Sequence, residues 1–346
     1  MTTFDKTINP SSDAPCPDCD AFLNWDEESL ESEHEQSVVF RSLVATLKSQ
    51  PALDDSLETK AVTFLESVDP DGEESADAFL SNFGRTTNES SRTFIYSIGV
   101  LLSSANQTII NTTMITLYKL IVFCSAEVRL ALIQADLIPQ IFSSLNLQSL
   151  SFAETEDIHI NLMKSIRKSL LLSTPDGIAS LNNGESYEQQ AVHDTVFQQV
   201  LVPSEQYIVH LCANRFSIVD GDQSLYFLIL LATLLRISPS HQPTMEIVLH
   251  MPLFLAIPSC LTFFENQVTI WTFLLEMIDA QREWNRTRGE NQQMWKKVLR
   301  MLRMEGIEDV MEEKLQNDRN EFSGRHIVNE SIKWNNQLGT NLPRLW

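Results

Sequence analysis

From about Ser29 onward, apolar residues recur along the chain at the 3.6-residue spacing of amphipathic helices, and no segment shows the strict alternation of a strand. Asp54-Asp55-Ser56 precedes a run with Leu57, Ala61, Phe64, Leu65 and Val68 on one face, which is a helix with its capping residue in front. Asn88 opens another, with Phe94, Ile95, Ile98, Leu101 and Leu102 turned inward. The same spacing predicts helices at about 107–123, 126–134, 137–146, 154–173, 187–200, 204–214, 222–237, 244–250, 267–287, 291–304, 307–317 and 326–337. Residues 1–24 lack it and are broken by Pro10, Pro15 and Pro17, so a disordered or loosely packed leader is expected there. Residues 25–346 then form a single helical domain.

Composition sharpens this picture. Only 10 glycines and 13 prolines punctuate 346 residues, far too little turn chemistry for an all-β fold. The longest apolar run, Leu225 to Leu235, falls short of the roughly 20 residues a membrane helix needs. The first residues have neither the basic nor the apolar region of a secretory signal, so a soluble, cytoplasmic or nuclear protein is expected. The N-x-S/T sequons at Asn88, Asn106, Asn111, Asn285 and Asn329 are then chance matches. Cys124, Cys212 and Cys260 lie in apolar helical runs, where free Cys acts as a small hydrophobe.

The net charge of −21 is unevenly distributed, with 20 acids against 5 bases in residues 1–90. Such a chain repels a phosphate backbone, which disfavours general nucleic-acid binding. The acids cluster where helices begin: Asp26, Glu27, Glu28 and Glu31; Asp54, Asp55 and Glu58; Asp71, Glu73, Glu74 and Asp77. Carboxylates there are stabilised by the helix dipole and free N–H groups. Helix capping with solubility is one reading of this region, and a docking surface for a basic partner is the other.

VRLALIQADLIPQIFSSLN, Val128 to Asn146, resembles the junction between the second and third helices of an armadillo repeat. Leu132 and Ile133 match the inner residues of the second helix, and Leu137, Ile138, Ile141, Phe142 and Leu145 those of the third. Pro139 falls in the first turn, where its missing N–H costs nothing. The family usually has Gly at the turn; Asp136 stands there, a residue type that tolerates the left-handed conformation. IVLHMPLFLAIPSCL, Ile247 to Leu261, aligns with Ala131 to Leu145 at an offset of 116, near three units of roughly 40 residues. VLVPSEQYIVHLCAN, Val200 to Asn214, is a weaker copy. AFLNWDEESLESEHEQSVVFRSLVATLKSQPALDDSLETKAVTFLESVDP, Ala21 to Pro70, and MLRMEGIEDVMEEKLQND, Met301 to Asp318, resemble blocks of a large multi-copy family of protist proteins, a resemblance that covers most of the chain. These resemblances imply an all-α, degenerate armadillo-like right-handed α–α superhelix, a solenoid, and bring no catalytic residues.

Motifs for chemistry are sparse. Cys16-Pro-Asp-Cys19 has no second CxxC or HxxxH, so it is an incidental pair or a partial metal site. None of the seven histidines sits in HExxH, and Glu246 with His250 is a lone i,i+4 pair. No phosphate loop or nucleophile elbow occurs. Residues 282–303 hold 7 bases against 2 acids, among them Arg282, Arg286, Lys296, Arg300 and Arg303. Three readings of this patch stand: a solvated face pairing with Glu305, Glu308 and Glu312; a surface for an acidic partner; or an RNA or anionic-lipid contact.

A non-catalytic scaffold or adaptor for other proteins or peptides is therefore expected, with no cofactor and no metal. In an armadillo repeat the third helix lines the concave surface, which makes Gln140, Ser143 and Ser144 the partner-binding candidates, with Ser259 and Thr262 in the later copy. RNA or acidic-partner binding through residues 282–303 is the alternative, and a divergent all-α enzyme the third.

Overall fold

A computed structural model describes residues 20–26, 32–145, 156–181 and 188–213, with scattered positions between 226 and 237. Every regular element among them is helical, and no strand occurs among them. In chain order they are α1 (Ala21–Asn24), α2 (Glu33–Ser49), α3 (Asp55–Ser67), α4 (Glu73–Ser81), α5 (Thr87–Leu102) and α6 (Gln107–Phe123). Then follow α7 (Ala126–Gln134), α8 (Leu137–Ser144), α9 (Glu156–Leu170), α10 (Pro175–Leu181), α11 (Gln189–Val196) and α12 (Val202–Ala213). A 3₁₀ turn, Leu171–Ser173, follows α9, and a π turn, Phe197–Leu201, joins α11 to α12.

Side-chain caps start several of these helices. Asp54 Oδ1 accepts the Leu57 N–H at 2.9 Å, Thr86 Oγ1 that of Glu89 at 3.3 Å, and Asn106 Oδ1 those of Thr108 and Ile109 at 2.8 and 3.1 Å. Ser32 and Ser125 do the same for α2 and α7. Each such cap stabilises its helix by about 0.5–2 kcal/mol over alanine. Glu33 and Glu35, Asp55 and Glu58, and Glu73 and Glu74 occupy first turns, where the helix dipole favours them. Asp77 differs: it sits inside α4, and its carboxylate accepts the Ser125 N–H at 2.9 Å, so it tends the start of α7.

Three boundaries depart from expectation. The packed chain already includes α1, inside the stretch read as leader: Phe22 is fully buried and donates its N–H to Ser42 Oγ at 2.9 Å. Trp25 stacks edge-on against Phe64, with centroids 5.3 Å apart. A four-residue helix is too short to show a period, so aromatic burial rather than pattern places it. Second, α10 was not anticipated, although Thr174 before Pro175 is a helix-start signal; Thr174 Oγ1 accepts the Gly177 N–H at 3.3 Å. Third, the expected break near residues 201–203 is bridged by the π turn. Pro203 lacks an N–H and its ring crowds the preceding turn of a regular helix, and the wider π turn relieves both conflicts.

The first helices share an aromatic core. Phe40 of α2 is fully buried, with ring centroids 6.5 Å from Phe64, 5.7 Å from Phe79, 5.6 Å from Phe83 and 6.1 Å from Phe94. Most of these pairs are edge-to-face, the arrangement that the ring quadrupole favours. Around this core α2 packs on α4 and α5, α3 on α6, α5 on α6, α7 and α8, and α6 on α9. Because Phe40 touches rings from three other segments, Phe40→Ala is expected to lower stability by about 3–5 kcal/mol in urea denaturation. A loss below about 1 kcal/mol would mean that this core is not packed as described.

Candidate functional site

The turn between α7 and α8 orders the face that sequence singled out. Arg129 of α7 is 8% exposed and reaches back to the end of α6. Its Nε donates to the Ile121 carbonyl at 2.9 Å and its Nη2 to the Cys124 carbonyl at 2.7 Å. These are acceptors that the helix end cannot satisfy itself, and the cation also complements the negative end of the dipole. Beside it the buried Cys124 thiol is pushed up to about 11 by desolvation, against the pull of Arg129.

Asp136 then adopts the left-handed conformation, φ 66° and ψ 36°, alone among the described non-glycine residues. One residue in that region closes α7 and starts α8: the Asp136 N–H donates to the Ile133 carbonyl at 3.1 Å, and its own carbonyl accepts the Gln140 N–H at 2.9 Å. Leu132, Ile133, Leu137, Ile138, Ile141 and Leu145 are buried. Phe142, half-buried, lies 5.7 Å from the Tyr207 ring.

The three candidates on α8 divide. Gln140 is half-buried, and its Nε2 donates to Ser144 Oγ at 3.0 Å. Both side chains lie over Gly99 of α5, where an added Cβ would meet them. Those two residues therefore serve the contact between helices, and Ser143 is the one left exposed, its hydroxyl donating to the Gln140 carbonyl at 2.9 Å. Arg282, Arg286, Lys296, Arg300 and Arg303 lie outside the described residues, as do Ser259, Thr262, Cys16 and Cys19.

Two features went unnoticed in the sequence. Tyr96 of α5 is 57% exposed, with Lys48 Nζ of α2 4.2 Å above its ring, a cation–π contact on the outer side of the α2–α5 pair. Tyr96 stands outside the apolar stripe of its helix, and that alone marks it as an exposed aromatic. His159 is fully buried, stacks parallel on Tyr207 and has Nδ1 3.0 Å from the Tyr207 hydroxyl. Burial pushes the ionisation of that phenol upward. The pair joins α9 to α12 and reads as core.

No family model, curated protein or solved structure matches this chain.

The left-handed turn makes a two-sided test. Asp136→Gly is expected to hold or raise the melting temperature, because glycine carries no steric penalty there, whereas Asp136→Val should lose about 1–2 kcal/mol. Equal effects of the two changes would contradict the turn. Cys124 predicts a pH dependence. The unfolded thiol ionises at 9.0 and the folded one at about 11, so the folded chain keeps a proton that the unfolded chain releases, and stability falls as pH rises through that window. Urea denaturation should show a shallower alkaline decline for Cys124→Ala than for the parent; parallel curves would argue against the burial of this thiol.

Proposed function

We propose that the chain is a degenerate armadillo-like solenoid, a right-handed α–α superhelix, and works as a non-catalytic scaffold or adaptor for other proteins or peptides. The observation that carries this reading is the packing of five of the described helices on the third one after them. Helix α3 lies on α6 and α6 on α9; α2 lies on α5 and α5 on α8; α7 meets α10. Contacts of that order are what stacked three-helix units make with their neighbours. Asp55, Gln107 and Glu156 begin the members of one stack, about 50 residues apart, a little longer than the roughly 40–47 of HEAT and armadillo units.

In this reading the stack of α2, α5 and α8 presents the partner surface, and Lys48, Tyr96 and Ser143 are among its exposed residues. An exposed tyrosine is the strongest anchor among them, since aromatic side chains dominate interface energetics.

Affinity capture of the full chain with cross-linking and mass spectrometry tests the proposal. Cross-links to the captured partner should concentrate on α2, α5 and α8, and Tyr96→Ala with Ser143→Arg should weaken capture at least about tenfold without changing the circular dichroism spectrum. Capture that is indifferent to those changes, or cross-links centred on residues 282–303, would overturn this choice of surface. Turnover of a substrate by the purified chain would overturn the scaffold reading.

A further inference from the structure

A cavity of about 250 Å³ lies between α4, α5 and α7, lined by polar residues, among them Asp77, Arg85, Thr87 and Ser91, and by the apolar Leu80, Val128 and Leu132. It opens at the start of α5, where the Thr87 and Asn88 N–H groups have no acceptor within the helix. Thr86 Oγ1 and the Thr86 carbonyl already take the next two amides, those of Glu89 and Ser90.

Three side chains decide what the cavity suits. Ser91 is 4% exposed and lines the cavity, and its hydroxyl makes no hydrogen bond to any described residue. A hydroxyl that is buried without a partner in the fold is expected to find one elsewhere. Arg85 carries an exposed guanidinium with no ion pair or hydrogen bond among the described residues. Asp77 is the one acid of the lining, and its Oδ1 is held by the Ser125 N–H at 2.9 Å. Nearby Glu89 is likewise engaged, its Oε2 accepting the Arg85 backbone N–H at 3.0 Å.

We propose that this cavity binds a small organic carboxylate: the anion meets Arg85, the Ser91 hydroxyl and the first amides of α5, and its hydrocarbon part lies on Leu80, Val128 and Leu132. Helix starts favour anions through their free N–H groups and dipole. Asp77 opposes any anion in the cavity, but it opposes a phosphate dianion about twice as strongly as a carboxylate, and the single Arg85 guanidinium balances one negative charge. The volume is below the ~300–1,000 Å³ of drug-sized sites, which limits the ligand to a few carbons beyond the carboxylate. The proposal is independent of the scaffold reading, because the cavity is complete within α4, α5 and α7.

Isothermal titration calorimetry of the full chain with butyrate and benzoate, and separately with inorganic phosphate, tests it. Saturable one-to-one binding of at least one carboxylate is expected, weakened about tenfold or more in both Arg85→Gln and Ser91→Ala. Neither side chain holds the fold by a hydrogen bond, so both variants should keep the parent melting temperature. The absence of saturable carboxylate binding up to roughly 10 mM would overturn the proposal, as would unchanged affinity in either variant. Phosphate binding more tightly than both carboxylates would overturn the ligand class.

Discussion

Helix α5 is enclosed by α2, α4, α6, α7 and α8, and the described fold depends on how those five neighbours fit around it. Phe94, Ile98 and Leu101 are fully buried, and removing such surface from water is the main favourable term in folding. That term has no direction, so it does not decide which neighbour sits where. Small residues decide it. Gly99 lets α8 approach until Gln140 and Ser144 lie against its backbone, and Ser97, buried to 3% exposure, donates to the Thr93 carbonyl at 2.9 Å and so needs no partner outside its helix. Only a narrow stripe of α5, at Arg92 and Tyr96, stays in water beyond its first turn. A partner surface on this helix is therefore confined to that stripe.

Around this centre, the polar ends of helices are satisfied by residues from other elements as well as by local caps. Asp77 of α4 takes the amide of Ser125, the residue that caps α7, and Arg129 of α7 takes the carbonyls of Ile121 and Cys124 at the end of α6. Each bond crosses between elements, so it sets the angle at which one helix leaves the next in addition to satisfying a backbone group. The left-handed turn at Asp136 does the same by geometry, sending α8 back beneath α5 without an intervening loop. The same logic bears on the cavity at the start of α5: Asp77 and Glu89 are both committed to backbone amides, and Arg85 and Ser91 are not.

Much of this was legible in the chain. Helices α3, α5, α6 and α7 fall close to where the 3.6-residue period puts them, and each carries a cap at the start, while α4 was marked only by the acids at its start. The left-handed Asp136 and the Pro139 in the first turn of α8 were also readable, being local conformational demands. What could not be read depends on distance in space. That Gln140 and Ser144 would lie over Gly99, leaving Ser143 exposed, follows from the approach of two helices that are far apart in the chain. Asp77 looked like one more helix-start acid, and its role appears only once α4 and α7 are side by side. The gap expected between residues 200 and 204 is bridged by a π turn, which has no sequence signature.

The stacking of helices α2, α3, α5, α6 and α7 on the third one after each underlies the central proposal, and its most direct consequence is shape. A compact globule of 346 residues has a radius of gyration of about 20 Å. Small-angle X-ray scattering of the full chain should give a clearly larger radius, with a distance distribution skewed toward a long tail, as a stacked array requires. A radius near that of the globule with a symmetric distribution would contradict the array.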